Sequence, residues 1–522
     1  MFISDAPEPI TILANMLLDF EFPINLTTEK FIAQLSDKVD LQPVSRQYTL
    51  KTYYDSFDWR LYAHSITCEL NQSLSSSTLV LRHLETGRII AKEELDSVPA
   101  FSRQFRPGEI RSLIEPVLEM RALLSVCKLN YQCHRLNIIN QRGETMLNLF
   151  IEEHDLYNNR ASMQLIDGHE HAVSEISELL TAELNLKFSD EPLLLTALKL
   201  QGIKPKTYTS RPAINLDPAM RADIAGKFIY SHLLKTIKDN EQGTIAHTDS
   251  EFLHDFRIAV RKTRTGLNQI KGILPEPINS YYAEFFSWLG QITSQPRDLD
   301  VFLLDFERYK ESQPASTQED LSPLHELIQA KQEKAHKELV RKLKSEKYLF
   351  TLSEWEQYLK EPALRNPLEP NAKLPIKELA ERRLCKIYGR LMQKGEAITE
   401  QSPAEALHEV RKTCKKLHYL LEFFQSLYPE DQIKPLVKSL KAFQIVLGEF
   451  QDGEVQMHAL KLFREEILAN PMPANTVSAM DRLIQELDAR RHRARHDFIK
   501  QFTVFSQSES HSVFNSLLAL KA

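Results

Sequence analysis

From about residue 219 onward, apolar positions recur at three- and four-residue spacing, the period of amphipathic helices. Before residue 200 the pattern is different. TLVLRHL (78–84), KLNYQCHRLNII (128–139) and ETMLNLFIEEHDL (144–156) alternate in part and are rich in strand-type residues. Thr86-Gly87 stands between two such runs and predicts a hairpin. Residues 173–187 read as a helix, or as a helix running into a strand. PLLLTALKL (192–200) predicts a helix with Pro192 near its first turn. The stretch 202–218 holds three prolines and little periodicity, which predicts a linker. A second proline-rich break, EPALRNPLEPNAKLP (361–375), cuts the helical part in two. The expected fold class is α+β. An antiparallel barrel- or tunnel-like domain (1–201) and a linker (202–218) precede an all-α domain (219–522), made of repeats at about 219–360 and 376–522.

The helical halves repeat. LHDFRIAVRKTRTGLNQIKGILP starts at Leu253 and LHEVRKTCKKLHYLLEFFQSLYP at Leu407. At an offset of 154, His254 maps on His408, Arg257 on Arg411, Arg261 on Lys415 and Lys262 on Lys416. SWLGQITSQPRDLDVF (287–302) echoes IVLGEFQDGEVQ (445–456), with Asp298 and Asp452 at the same offset. Similarity of this kind marks duplicated helical units.

Composition narrows the classes. Only 14 of 522 residues are glycine, and neither GxGxxG nor GxxxxGK[ST] occurs, which argues against a glycine-loop nucleotide fold. The five cysteines are odd in number and lack CxxC spacing, so neither a disulfide framework nor a structural zinc site is expected. No apolar run is long enough for a membrane span. The first 17 residues carry Asp5 and Glu8 but no Lys or Arg, unlike a secretory leader. A cytoplasmic protein without membrane partners is expected. Residues 1–216 hold 21 basic and 28 acidic residues, and the remaining 306 hold 44 and 43. Any anion site in the helical part must therefore come from local clustering.

Such clustering is visible. At about 100° per residue, His254, Arg257, Arg261 and Arg264 fall within an arc of about 80°. His408, Arg411, Lys415 and His418 fall in the same arc of the second helix. Phe256, Val260, Leu267 and Ile270 can anchor the first helix, as Val410, Leu417, Leu421 and Phe424 can the second. Cations on such a helix often pair with acidic neighbours or face water. Two repeat-related ridges of like charge, however, repel themselves and favour an anion lying across them. Both histidines stand near a helix start, where unpaired N–H groups also favour an anion. Regular spacing of Arg and Lys along two helices suits a long polyanion. Asp298 and Asp452 read as loop or cap residues, or as ion-pair anchors of the ridge. Further basic clusters lie at Arg382, Arg383, Lys386 and Arg390, and at Arg490, Arg491, Arg493 and Arg495.

On LHDFRIAVRKTR with LGQITSQPRDLDVF, and LHEVRKTCKKLHYLLEFF with LGEFQDGEV, the part from about 217 to 522 resembles the CHAD family, the conserved histidine α-helical domain. The resemblance implies two pseudo-symmetric four-helix bundles that hold inorganic polyphosphate, and contact with polyphosphate granules. The implied binding residues are His254, Arg257, Arg261, Lys262, Arg264, His408, Arg411, Lys412, Lys415 and Lys416. Two departures stand out. His418 occupies the place of Arg264, and Gly290 to Asp298 is four residues longer than Gly448 to Asp452.

Residues 15–200 resemble the CYTH family, the triphosphate-tunnel fold, on YYDSFDWRLYAHSITCEL (53–70) and FIEEHDLYN. That family implies carboxylates for a divalent metal and cations for a triphosphate. Its ExExK strand is matched by Asp19-Phe20-Glu21-Phe22-Pro23, so two carboxylates share a strand face while Pro23 replaces the lysine. After YYDSFD the expected arginines are thin, with Arg60 present. Arg82, Lys128, Arg135, Glu152 and Glu175 are candidates to point inward. An active tunnel would use Glu21, Arg82, Lys128 and Arg135, with Mg²⁺ or Mn²⁺ held by Asp19, Glu21, Glu152 or Glu153. The losses favour a degenerate tunnel. Three functions follow: a polyphosphate-binding protein that needs no cofactor, with weak or no catalysis; a metal-dependent inorganic triphosphatase with the helical part as tether; and a nucleic-acid binder. The last is disfavoured because the cations lack interleaved stacking aromatics.

Overall fold

The computed structural model describes residues 17–166, 169–189, 191–210, 214–468 and 474–506. The chain divides into two compact units, residues 1–209 and 210–522.

The first unit is built on nine antiparallel strands: β1 (Leu17–Glu21), β2 (Asp40–Asp55), β3 (Ile66–Gln72), β4 (Ser77–His83), β5 (Ile89–Glu94), β6 (Leu124–Ile139), β7 (Thr145–His154), β8 (Arg160–Leu165) and β9 (Lys187–Phe188). Their order is β5-β4-β3-β2-β6-β7-β8-β1-β9. Among the described residues the two end strands do not pair, so the barrel-like domain is an open, curled half-barrel. The 16-residue strands β2 and β6 form its centre and carry register shifts between Pro43 and Ser45 and between Tyr53 and Tyr54. Proline lacks the donor a ladder needs, so its place beside such an irregularity is physically apt. Gly87, at φ 66°, lets the chain turn from β4 to β5.

Strand alternation divides the sheet into two faces. Leu147, Leu149 and Ile151 pack with α1 (Thr28–Ser36) and α4 (Glu170–Glu178). Leu70, Leu79 and Leu81 pack with α2 (Arg60–Ala63) and α3 (Glu109–Leu118). The residues between them, including Glu69, Val80, Phe150 and Glu152, turn to the other face. The last helix of the unit is α5 (Leu193–Leu200), which begins after Pro192.

The elements described in the second unit are helices. Its first half comprises α6 (Ala222–Ala246), α7 (Ser250–Gln269), α8 (Glu276–Ile292), α9 (Ser294–Leu304), α10 (Phe306–Glu311), α11 (Ser322–Leu343) and α12 (Glu346–Lys360). Its second half comprises α13 (Ile376–Glu396), α14 (Ala404–Phe424), α15 (Glu430–Leu468) and α16 (Ala474–Ser506). At the offset of 154, α6 and α13 start at equivalent residues, and so do α7 and α14. Phe256, Val260 and Leu267 of α7 and Val410, Leu417, Leu421 and Phe424 of α14 are buried in one apolar core that both repeats share. No helix among the described residues is long and apolar enough to cross a membrane.

Candidate functional site: a cation cluster between the repeats

Anchoring Phe256 and Val260 inward turns Arg257, Arg261 and Arg264 to the half-buried side of α7. The same logic turns Arg411 and Lys415 outward on α14. The two helices meet, and these five cations lie within electrostatic reach of one another.

The protein does little to neutralise them. Arg257 donates to the Gly290 carbonyl at 2.8 Å and to Thr293 Oγ1 at 3.2 Å, both neutral. Burial and the neighbouring Arg261 push its guanidinium down to about 10. Arg411 is 3.7 Å from Asp452, longer than a good hydrogen bond. Its Nε is buried without a partner, and burial lowers its pKa against the pull of Asp452. Arg261, Arg264 and Lys415 make no ion pair or side-chain hydrogen bond with any described residue. Burial, then Arg261 and Arg411, push the Lys415 ammonium down to about 7. Arg297, from α9, joins the edge of the cluster through the field it exerts on Arg257, and its guanidinium also reaches the Ser250 carbonyl at 3.0 Å.

Asp298 and Asp452 are the counter-charges, and neither lies in a loop. Asp298 is in α9 and Asp452 in the middle of α15. The four extra residues between Gly290 and Asp298 amount to about one helical turn. They are accommodated by a break at Thr293, so both aspartates still face the ridge. Burial raises the pKa of each carboxyl, and the nearby arginines only partly offset it.

Residues 229–461 match the CHAD domain family model. The helical unit carries a CHAD domain. Solved structures similar to this chain include the CHAD domain from the plant Ricinus communis, at 24% identity and TM-score 0.44, covering 55% of this chain and 95% of that one. PptA from Streptomyces chartreusis is similar at 13% identity and TM-score 0.43, covering 54% and 99%. HpAC1 from Hippeastrum, which has a dominant triphosphatase activity, is similar at 11% identity and TM-score 0.28, covering 37% and 99%. No curated protein matches the sequence.

The CHAD cluster leaves out five of the residues expected in it. Lys262 is buried and ion-paired to Glu422 at 3.0 Å, with Nζ 5.9 Å from the Tyr419 ring. The residue equivalent to Glu422 in the first repeat is Asn268, so Lys416 has no corresponding acid. Lys416 instead turns toward Lys394, Lys412 and Arg390, and Lys412 pairs with Glu409 at 2.9 Å. His254 and His408 are half-buried at the fifth position of their helices, and His408 Nδ1 is hydrogen-bonded to Gln451. At the start of α7 the Asp249 carboxylate already accepts from the Glu251 and Phe252 N–H groups. Two of the N–H groups at that end are therefore already satisfied from within the protein. His418 is 3.5 Å from Glu422. Of the other basic clusters, Arg382 pairs with Glu378, Arg490 with Glu486, and Arg491 with Glu454 and Asp488.

The half-barrel encloses its own cavity of about 750 Å³. Asp19, Arg82, Arg135 and Glu152 line it, as the sequence led one to expect. So do Lys51 and Glu69, which lie outside the arginine pattern expected after YYDSFD. Among the described residues, five cations (Lys51, Arg82, Lys92, Arg135, Arg160) face five carboxylates (Asp19, Glu69, Glu85, Glu152, Glu191). The deepest are spent on each other: Lys51 on Glu152 at 2.9 Å, Arg82 on Glu69 at 2.6 Å, and Arg160 on Glu21 at 2.5 Å. Burial opposes the Glu152 charge, yet Lys51 and His154 hold its carboxyl well below the usual range. Burial and Glu152 push Asp19 up to about 6.

Lys128 and Glu153 do not belong to the cavity. Each lies one residue out of phase with the inward set, so Lys128 is exposed and Glu153 pairs with His134 at 3.0 Å. Glu175 is exposed on α4. The expected metal ligands are thus dispersed, with Glu21 tied to Arg160 and Glu153 on the opposite face. Among the described residues, no three His, Cys, Asp or Glu side chains are grouped to hold a metal ion. The donor set does not fit a divalent cation. Substituting Glu152→Ala strands Lys51 in the cavity wall and should cost about 3 kcal/mol. The check is a lower denaturation midpoint for the half-barrel transition, largely restored in the double variant Lys51→Met/Glu152→Ala.

Proposed function

We propose that the CHAD domain binds inorganic polyphosphate across Arg257, Arg261, Arg264, Arg411 and Lys415. The observation that supports this most is the set of cations without an ion-pair or side-chain hydrogen-bond partner among the described residues, Arg261, Arg264 and Lys415, held where two repeat-related helices meet. Like charges gathered in a half-buried place cost the free protein stability. A polyanion repays that cost, because each phosphate supplies acceptor oxygens to Arg forks and a counter-charge to Lys. Binding needs no cofactor. In this reading the protein is cytoplasmic and its partner is polyphosphate, free or in granules.

The half-barrel in this reading contributes weak or no catalysis, because its deepest cations, Lys51, Arg82 and Arg160, are already paired from within. A triphosphate bears several negative charges, and a cavity with balanced walls offers it no net attraction.

The test is titration of the full-length protein with long-chain polyphosphate and tripolyphosphate, with and without Mg²⁺ or Mn²⁺, following binding and phosphate release together. Tight binding of the long chain that weakens steeply with salt, without release, is the expected result. Metal-dependent release from tripolyphosphate, lost in Glu21→Gln, would overturn the assignment of the half-barrel. Absence of long-chain binding would overturn that of the CHAD domain.

A further inference from the structure

Resting on the reading above, we propose that the face shared by α13 and α14 is a second anion site, which takes a further run of phosphates from a long polyphosphate chain. Four cations gather there. Arg390 and Lys394 come from α13, Lys412 and Lys416 from α14. Among the described residues, one carboxylate is ion-paired with them. Glu409 is 2.9 Å from Lys412 and 3.2 Å from Lys394, and their hydrogen bonds hold its carboxyl down to about 2. Arg390 and Lys416 make no ion pair with any described residue. Burial lowers the pKa of Lys416, Glu409 opposes, and Lys394, Lys412 and Arg390 lower it further. The face thus carries an uncompensated excess of positive charge.

The duplication shows that the helical fold itself does not require this charge. At the offset of 154, Arg390, Lys394 and Lys412 correspond to Thr236, Asn240 and Ile258. Glu409 corresponds to Asp255, and Lys416 to Lys262. In the first repeat Thr236, Asn240, Asp255 and Lys262 are all buried. In the second repeat Arg390, Lys412 and Glu409 are exposed. The same helix pair presents a covered, cation-poor face in one half of the domain and an open, cation-rich face in the other. Lys412 and Lys416 share α14 with Arg411 and Lys415 but point to a different side of it. A chain leaving the central cluster can therefore wrap α14 and meet a second set of cations. A short anion that fills the central cluster cannot.

The inference predicts a dependence on chain length. Arg390→Gln/Lys412→Gln removes two exposed cations without touching the shared core. In the full-length variant, the slope of log affinity against log salt for long-chain polyphosphate should fall by about 1–2 units. Tripolyphosphate affinity should stay within about twofold of the unsubstituted protein. An unchanged long-chain slope, or equal weakening for both ligands, overturns the second site while leaving the central one intact. If the unsubstituted protein binds neither anion, the central reading fails and takes this one with it. The variant Arg257→Glu/Arg411→Glu separates the two, because it removes binding of both chain lengths.

Discussion

Charge reversal at Arg257 and Arg411 together should abolish most polyphosphate binding. The pair spans the meeting of α7 and α14, so the double variant puts a carboxylate on each side of the anion's path. Two cations are lost and two like charges are gained, a change of four in the charge facing the ligand. With about 0.7 counterions released per contact on a single-stranded polyanion, the expected weakening at 0.1 M salt is about two to three orders of magnitude. Affinity within about threefold of the unsubstituted protein would remove the cluster from consideration. Arg257 also donates to the Gly290 carbonyl and Thr293, so its loss disturbs the break between α8 and α9. A second variant avoids that ambiguity. Arg261 and Arg264 make no ion pair or side-chain hydrogen bond with described residues. Removing their charge in Arg261→Gln/Arg264→Gln should weaken binding while leaving the free protein as stable or more so, because like-charge repulsion is relieved. Opposite signs for affinity and stability are what a site held at the expense of the fold produces. A purely structural role would move both down together.

How much of this was legible in the sequence follows from the periods involved. The helix period fixed which residues anchor α7 and α14, since Phe256, Val410 and their companions had to face a core if the arginines did not. The offset of 154 aligned helices as well as motifs. It could not show that Lys262 and Lys416 have different fates. That depends on Glu422 against Asn268, one charged partner present in one repeat and absent from the other. Asp298 and Asp452 looked like loop residues because glycine and proline surround the first. An insertion of about one helical turn changes the path of the backbone but not the face presented. In the half-barrel the period of two separates the two faces of the sheet. Asp19 and Glu21 share a face, and both meet cavity cations or their neighbours. The same period excludes Lys128 from the face of Arg135, seven residues on, and Glu153 from that of Glu152. It also marks Lys51 beside Tyr53 as inward. What it could not supply is the pairing of Lys51 with Glu152, residues 101 apart in sequence. That pairing takes one of the deepest cavity cations out of reach of an incoming anion.

Polyphosphate binding should also take up a proton, and Lys415 should be the group that accepts it. Arg257 and Arg261 face this ammonium from α7, Arg411 from its own helix, and Asp452 from α15. Burial, then Arg261 and Arg411, set its pKa at about 7 in the free protein, against an ordinary value of 10.5. The sign for folding follows directly. Between about pH 7 and 10.5 the unfolded chain keeps a proton that the folded protein has lost, so stability without ligand rises with pH across that window. An anion lying against Lys415 reverses the balance by favouring the charged form. The bound protein then holds more protons than the free one above about pH 7, and affinity falls as pH rises, by up to tenfold per unit. Calorimetry at pH 8 in buffers of different ionisation enthalpy should show up to about one proton taken up per chain. In Lys415→Arg the guanidinium stays protonated across this range. Proton uptake should vanish, and affinity between pH 7 and 9 should become nearly flat while remaining tight. Unchanged proton uptake in that variant would assign the linkage to another group. Flat affinity in the unsubstituted protein over the same range would mean that the anion does not lie against Lys415.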